Sequence, residues 1–193
     1  MGEVGHKMGR GIIAHGLSFI FHSRNGLGIL TVIVAAIVLP QNHVLFAAGV
    51  VVGTLSYLAL EAYTHRRMHE NPHSPFHQSH AAHHANPTPK NGVPELWVFA
   101  VYAAILLVAG YLQRPFLSGA CLAGLCWLMA YEWIHYLCHC PYTPKTKLGW
   151  RIRVNHNKHH RLDDSKFYEL LWVSKNKSRQ SLNGEAPAAA TTP

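Results

Sequence analysis

The sequence predicts an all-α integral membrane protein, with about four transmembrane helices and a histidine-rich helical cap on the cytosolic side. Hydrophobic residues make up 49% of the 193-residue chain, which nevertheless carries a formal net charge of +8. Apolar runs must therefore alternate with basic polar segments. Most of the 16 histidines lie in short motifs beside those runs, and each motif spacing occurs twice. A chain of this length has room for one domain.

The N-terminal segment, residues 1–24, is polar at first and then mixed. Its apolar side chains, such as Leu17 and Phe19, are interrupted by His15 and Ser18. This pattern fits either an amphipathic helix at the membrane interface or an irregular lead-in.

Four apolar runs follow and are the predicted transmembrane helices: residues 27–39, 43–63, 93–112 and 116–137. A helix needs roughly 20 residues to cross a bilayer core of about 30 Å. The last three runs meet that length, whereas the first gives only about 20 Å of helix. The first run therefore crosses only if it extends back through Asn25 or forms half of a tilted hairpin.

The distribution of basic residues predicts the topology. Of the 17 Lys and Arg residues, only Arg114 lies in a turn on the side opposite the termini. The positive-inside rule then places both termini and the polar loop at 64–92 in the cytoplasm. The composition of residues 175–193 predicts a disordered tail.

The histidine motifs predict a metal centre with two ions. Two segments have the spacing H-x-x-x-H, and residues four apart lie on one face of a helix, with Cβ atoms roughly 5–6 Å apart. Two further segments have the spacing H-x-x-H-H, in which the adjacent histidines project about 100° apart, so one of them can reach a second ion. The ten candidate ligands are His65, His69, His80, His83, His84, His135, His139, His156, His159 and His160. Imidazole ligands favour zinc, copper, iron or nickel over magnesium or calcium.

Other polar residues near these motifs are also candidates. His73 and His77 lie between two motifs, where a ligand and a solvated loop position both remain open. Glu61 and Glu132 stand just before the H-x-x-x-H motifs, inside apolar runs where an acid is costly. They are candidates to orient imidazoles by accepting the free N–H, and the alternative is that they reach out to the membrane interface.

Four motifs in order carry a family resemblance: H-R-R-M-H, H-A-A-H-H, Y-E-W-I-H-Y-L-C-H and H-N-K-H-H. With four apolar runs, they resemble the fatty acid hydroxylase/sterol desaturase superfamily over roughly residues 55–172. The resemblance implies that residues 25–174 form a fatty acid hydroxylase-like membrane domain, in which the ten histidines bind two iron ions, with zinc possible as a substitute. It implies dioxygen-dependent hydroxylation or desaturation of a lipid such as a fatty acyl chain or sterol. The segment at 167–174 departs from the aromatic and glycine-containing segment usual in the family.

An enzyme of this kind needs an external electron donor, because the sequence holds no dinucleotide-binding glycine motif. The expected partners are a membrane lipid substrate and a separate reductase or small electron carrier. Basic residues between Lys145 and Lys166 could dock an acidic carrier or attract anionic lipid head groups. No folded basic reader is apparent in the sequence, so a nucleic-acid partner is not expected.

Three alternatives remain open. A carotenoid (β-ring) hydroxylase is similarly compact and histidine-rich, although its first motif is usually one residue longer than His65–His69. A metal transporter belongs to a different class and holds polar ligands near the bilayer midplane, whereas the middles of these apolar runs hold neither histidine nor acid. The third alternative is a non-catalytic homologue that keeps the ligands.

Overall fold

The computed structural model describes residues 12–21, 23–38, 42–88, 96–161 and 170–171, and the regular structure in these ranges is α-helical, with no strand. The helices of this part of the chain are α1 (Ile12–Ile20), α2 (Ser23–Val38), α3 (His43–Glu70), α4 (His77–Ala85), α5 (Leu96–Tyr111), α6 (Pro115–His139) and α7 (Lys147–Arg161). The prediction of an all-α fold is confirmed for these ranges. The predicted tail at 175–193 lies outside them.

The two longest helices begin at residues that commonly start helices. Asn42 caps α3, since its side-chain oxygen accepts the Leu45 N–H at 3.1 Å. Pro115 opens α6, where its missing N–H costs no hydrogen bond. Gln113, in the turn before it, has a positive φ of 54°. These local signals fix where each long helix starts.

Two of the described helices, α3 with 28 residues and α6 with 25, are long and apolar enough to cross a membrane. The helices α2 and α5 coincide with the other two predicted spans but have only 16 residues each. A third candidate arises if α1 and α2 count as one span, since Ile13–Ile20 and Asn25–Val34 meet at a bend of 86°. Helix length thus supports a membrane protein, and the four-span topology stays a prediction.

Helices α3 and α6 pack against each other more closely than any other pair, and glycine makes this approach possible. A methyl group on Gly49 would overlap the backbone carbonyl of Phe116, and one on Gly53 would overlap the backbone of Ala120. On the other side, a methyl group on Gly119 would overlap the carbonyl of Phe46. Small residues at such crossings let membrane helices touch backbone to backbone.

These glycine contacts reveal an internal two-fold relation. Gly49 lies against Phe116, and Gly119 lies against Phe46, so the contact is reciprocal. Residues of α3 and their counterparts in α6 are 70 positions apart, and the H-x-x-x-H motifs obey the same offset. Each long helix follows a 16-residue apolar helix and precedes a short helix that carries H-x-x-H-H. The chain therefore contains two similar series of helices, α2–α4 and α5–α7, whose long helices run in the same direction. The two-fold relation in space concerns the long helices and the histidine-bearing helices that follow them, because α5 packs on α6 whereas α2 packs mainly on α5 and α6.

Helix α1 packs onto the second half. The ring of Phe19 lies 5.1 Å from that of Trp133 and 5.5 Å from that of Tyr136, both on α6. The other face of α1 exposes Ile13 and Leu17. A helix with one packed and one exposed apolar face is compatible with an amphipathic helix at the membrane interface, one of the two structures that the sequence allows for residues 1–24. Its interfacial position stays a prediction.

Candidate metal centre

The four histidine motifs meet at one end of the paired long helices. The last turns of α3 and α6 carry the two H-x-x-x-H motifs, and α4 and α7 fold back over them. The turn before α4 is closed by the Asn71 side chain, which accepts the His73 backbone N–H at 3.1 Å. The start of α7 is fixed by Thr146, whose hydroxyl oxygen accepts the Gly149 N–H at 3.1 Å. Short hydrogen-bonded turns thus place the motifs opposite one another.

The structure brings all ten predicted ligands together in two groups of five. In each group every histidine offers one ring nitrogen, and these nitrogens lie within 4.8 Å of one another. The first group consists of His65, His69, His80, His84 and His159. The second group consists of His83, His135, His139, His156 and His160. Both groups have the donor type and convergence that a transition-metal ion requires.

Each group takes one ligand from the other half of the chain. His159 of α7 joins the first group, and its Nε2 lies 3.1 Å from His69 Nε2. His83 of α4 joins the second group, with its ring centre 4.6 Å from that of His135 and 4.7 Å from that of His139. His83 and His159 are the only fully buried histidines in the described part of the chain. They link the halves at the centre of the site.

The two groups are also related by the internal two-fold. His69 Nε2 lies 2.8 Å from His80 Nε2, and the corresponding pair, His139 and His156, shows the same 2.8 Å separation. The crossing ligands match as well, with ring centres 4.7 Å apart for His65–His159 and 4.6 Å apart for His83–His135. The rings of His84 and His160, which are counterparts of each other, stack at 4.1 Å where the halves meet.

Burial favours the neutral form of several of these imidazoles. Desolvation, followed by the neighbouring histidines, lowers the pKa of His84 to about 2 and that of His160 to about 3. The same two causes lower the pKa of His80 and that of His156. A neutral imidazole is the form that binds metal. Moreover, His84 Nε2 is buried without a hydrogen-bond partner among the described residues, so a cation between the rings satisfies nitrogens that face one another. The residues therefore fit two metal ions.

The two candidate orienting acids have different surroundings. Both are buried, with 6% of Glu61 and 5% of Glu132 exposed. Glu61 Oε1 accepts the backbone N–H groups of Leu170 at 2.6 Å and of Leu171 at 2.8 Å. This connection across more than a hundred residues has no signal in the local sequence. The orientation of imidazoles by Glu61 and Glu132 stays a prediction.

The remaining histidines of the described ranges lie outside both groups. His77 Nδ1 lies 2.7 Å from the carbonyl oxygen of Met68, which ties α4 to the end of α3. His73 is exposed. His15 is buried, with its ring 6.3 Å from each of the rings of Tyr136 and Tyr142. His73 and His77, for which the sequence allowed two interpretations, are thus separate from the two histidine groups.

A cavity of about 470 Å³ extends from the histidine centre between α3, α5 and α6. His65, His80 and His135 line one end, and Gly53 and Gly124 line the region farther along the helices. The 12 residues from Gly53 to His65 correspond to about 18 Å along α3, and most of the wall is apolar. Sequence reasoning missed this cavity, and its only local signal is the series of small residues at helical spacing in α6.

Comparison of the chain with protein-family models, curated proteins and solved structures gives no match. The family resemblance therefore rests on the motifs alone. The described residues show helices able to cross a membrane and two histidine groups able to bind metal ions.

Proposed function

We propose that the protein is a membrane-bound di-iron oxidoreductase that uses dioxygen to hydroxylate or desaturate a lipid, such as a fatty acyl chain or a sterol. The observation that supports this most directly is the cavity. It begins at His65, His80 and His135 and continues between helices that are apolar enough to lie in a bilayer. A long apolar substrate could enter from the membrane and bring one C–H bond to the histidine centre. A purely structural metal site has no use for such a cavity.

The ten histidines would hold the two iron ions, five in each group. When bound, reduced iron supplies the electrons that activate dioxygen for attack on an unactivated C–H bond. The chain contributes rigid geometry, because His83 and His159 are fully buried and fix the two groups to each other. It also keeps water from the substrate, since Leu60, Met68 and Leu128 line the cavity wall. A dry, preorganised site protects a reactive oxidant from side reactions.

The membrane arrangement that we propose has four spans, with α2 and α5 crossing beside α3 and α6. The short helices suit this role when the bilayer thins locally. The charge bias of the sequence supports termini and histidine site on the cytoplasmic side. That side gives a soluble reductase or small electron carrier access to the centre. Basic residues of α7, such as Lys147 and Arg161, offer a docking surface.

The experiment compares the lipids of cells with and without the chain, searching for species heavier by one oxygen or lighter by two hydrogens. Purified protein is expected to hold two iron ions per chain. His83→Ala and His159→Ala should each abolish lipid oxidation, because each removes a histidine that one half of the chain supplies to the group of the other half. His73→Ala is the matched control, since His73 is exposed and belongs to neither group.

Two outcomes contradict the proposal. One metal ion per chain, or none, would exclude a dinuclear centre. Lipid oxidation that persists in both buried-histidine variants would show that these groups do not carry the chemistry.

A further inference from the structure

The internal two-fold relation does not extend to the cavity. Three residues of the cavity wall near the first histidine group have counterparts in the second half: Thr64, Met68 and Phe76 correspond to Ile134, Cys138 and Ile152. The first two pairs follow the 70-residue offset of the long helices, and the third follows the 76-residue offset of the H-x-x-H-H motifs. If the halves were equivalent, a second cavity would open beside the second histidine group.

Leu170 occupies the place where this second cavity would open, which is called the second position below. It is 2% exposed and forms a buried apolar cluster with Cys138 and Ile152, and Ile134 packs against the same cluster. Each of these partners is the counterpart of a residue that lines the first cavity. The side chain of Leu170 thus fills the place that is open in the first half.

The deeper part of the second position is also filled. Trp127 and Thr54 are the counterparts of Tyr57 and Gly124. The indole N–H of Trp127 donates to the Thr54 hydroxyl oxygen at 3.1 Å, so two side chains meet there. In the first half Gly124 has no side chain to meet Tyr57, and both residues line the cavity.

Glu61 holds Leu170 in this position. Its buried side-chain oxygen Oε1 accepts the N–H groups of both Leu170 and Leu171, so two hydrogen bonds fix the backbone at Leu170. Glu61 also lies one helical turn before His65 and lines the first cavity. One side chain therefore borders the open position and secures the filled one.

We propose that Leu170, held by Glu61, is a plug that closes the second-half counterpart of the cavity, so that a lipid chain reaches the histidine centre from the first half only. This inference rests on the proposed function, because it takes the open cavity as the path of the lipid. Glu61 is then a positioning residue that acts through Leu170. The two histidine groups, although alike in composition, then differ in their access to the substrate.

Native cysteines test the plug in the full-length, metal-loaded protein in lipid nanodiscs. The probe is a dodecyl methanethiosulfonate, which forms a disulfide with an accessible thiol and releases a sulfinate. Cys121 lines the open cavity, Cys138 lies under Leu170, and Cys126 is exposed. Mass spectrometry of digested protein gives the labelling rate at each thiol. In the wild type we expect Cys121 and Cys126 to be labelled and Cys138 to be protected.

Removal of the plug should expose Cys138. Leu170→Ala and Glu61→Ala should each raise its labelling rate about tenfold or more, because local opening controls the reaction of a buried group. Glu61→Gln should retain much of the protection, since the amide oxygen still accepts both N–H groups. Leu171→Ala is the matched control, because the Leu171 side chain is not part of the cluster around Cys138. An unchanged Cys126 rate and two metal ions per chain verify that each variant is folded.

The plug is overturned if Cys138 stays protected in both Leu170→Ala and Glu61→Ala, or if it reacts as fast as Cys121 in the wild type. Labelling requires no turnover. A chain that oxidises no lipid but shows the expected labelling would refute the proposed function alone, whereas a protected Cys138 in an active enzyme would refute the plug alone.

Discussion

The crossing of α3 and α6 can be tested by adding a single methyl group. In Gly49→Ala the new methyl would meet the Phe116 carbonyl far inside the van der Waals distance, so the helices must separate by about 1 Å or more to restore a contact of about 3.5 Å. Overpacking of this kind costs about 1–3 kcal/mol. Alanine recovers at most about 1 kcal/mol of helix propensity. After the full propensity gain is subtracted, the variant should therefore lose up to about 2 kcal/mol of stability.

The assay is thermal unfolding of the purified protein in detergent, followed by circular dichroism, together with metal content. Gly16→Ala is the matched control, because a methyl there would lie 3.9 Å from the Trp133 ring, an ordinary contact. It should be neutral or stabilising. Metal content should fall in Gly49→Ala only, since α3 and α6 each carry an H-x-x-x-H motif at their ends.

The double variant Gly49→Ala/Gly119→Ala provides a sharper test. Both methyl groups separate the same pair of helices, so the second should cost less than it does alone, and the two effects should not add. Full additivity, or a Gly49→Ala protein as stable as Gly16→Ala, would refute the backbone-to-backbone crossing.

Two further predictions concern the histidine centre and the cavity. The metal-free protein should lose stability as the pH falls below about 6.5, the ordinary pKa of an unfolded histidine. Burial lowers the pKa of His84 in the folded protein to about 2 and that of His160 to about 3. Between these values and pH 6.5 the unfolded chain binds more protons than the folded one, so acid favours unfolding. Denaturant unfolding at pH 7.5 and pH 5.0 measures the difference in stability, and equal stability at the two pH values would contradict the prediction. Gly124→Leu should fill the cavity, because even a Cβ there lies 3.2 Å from the Tyr102 hydroxyl, and should abolish lipid oxidation with two metal ions retained. Ala104→Leu, at an exposed position of α5, is its control and should remain active.

Local spacing was sufficient to find the ten histidines that the structure brings together, because imidazoles that converge on one point must be close along a helix or on its neighbour. The angle of about 100° between adjacent side chains on a helix also indicated that one of two adjacent histidines points towards a second group. It could not decide that this residue is His83 in α4 and His159 in α7, since the choice depends on how the halves pack. The long-range bond from Leu170 to Glu61 leaves no local pattern at all.

The helix pattern was predictable for a similar reason, and its limits have a similar origin. Apolar composition identified the runs that became α2, α3, α5 and α6. It did not give their lengths within the fold, where α2 and α5 have 16 residues each. The sequence did not predict the cavity, because the cavity depends on how three helices pack. It also depends on the room left by residues without a side chain, such as Gly124.

The exchange of ligands between the halves bears on how the protein is made. When α4 has been synthesised, four of the five histidines of the first group are already present in the growing chain. The fifth, His159, lies 75 residues beyond His84 and follows two further apolar helices. The first group is therefore complete only when α7 has been made, and a chain that ends before α7 lacks the fully buried His159.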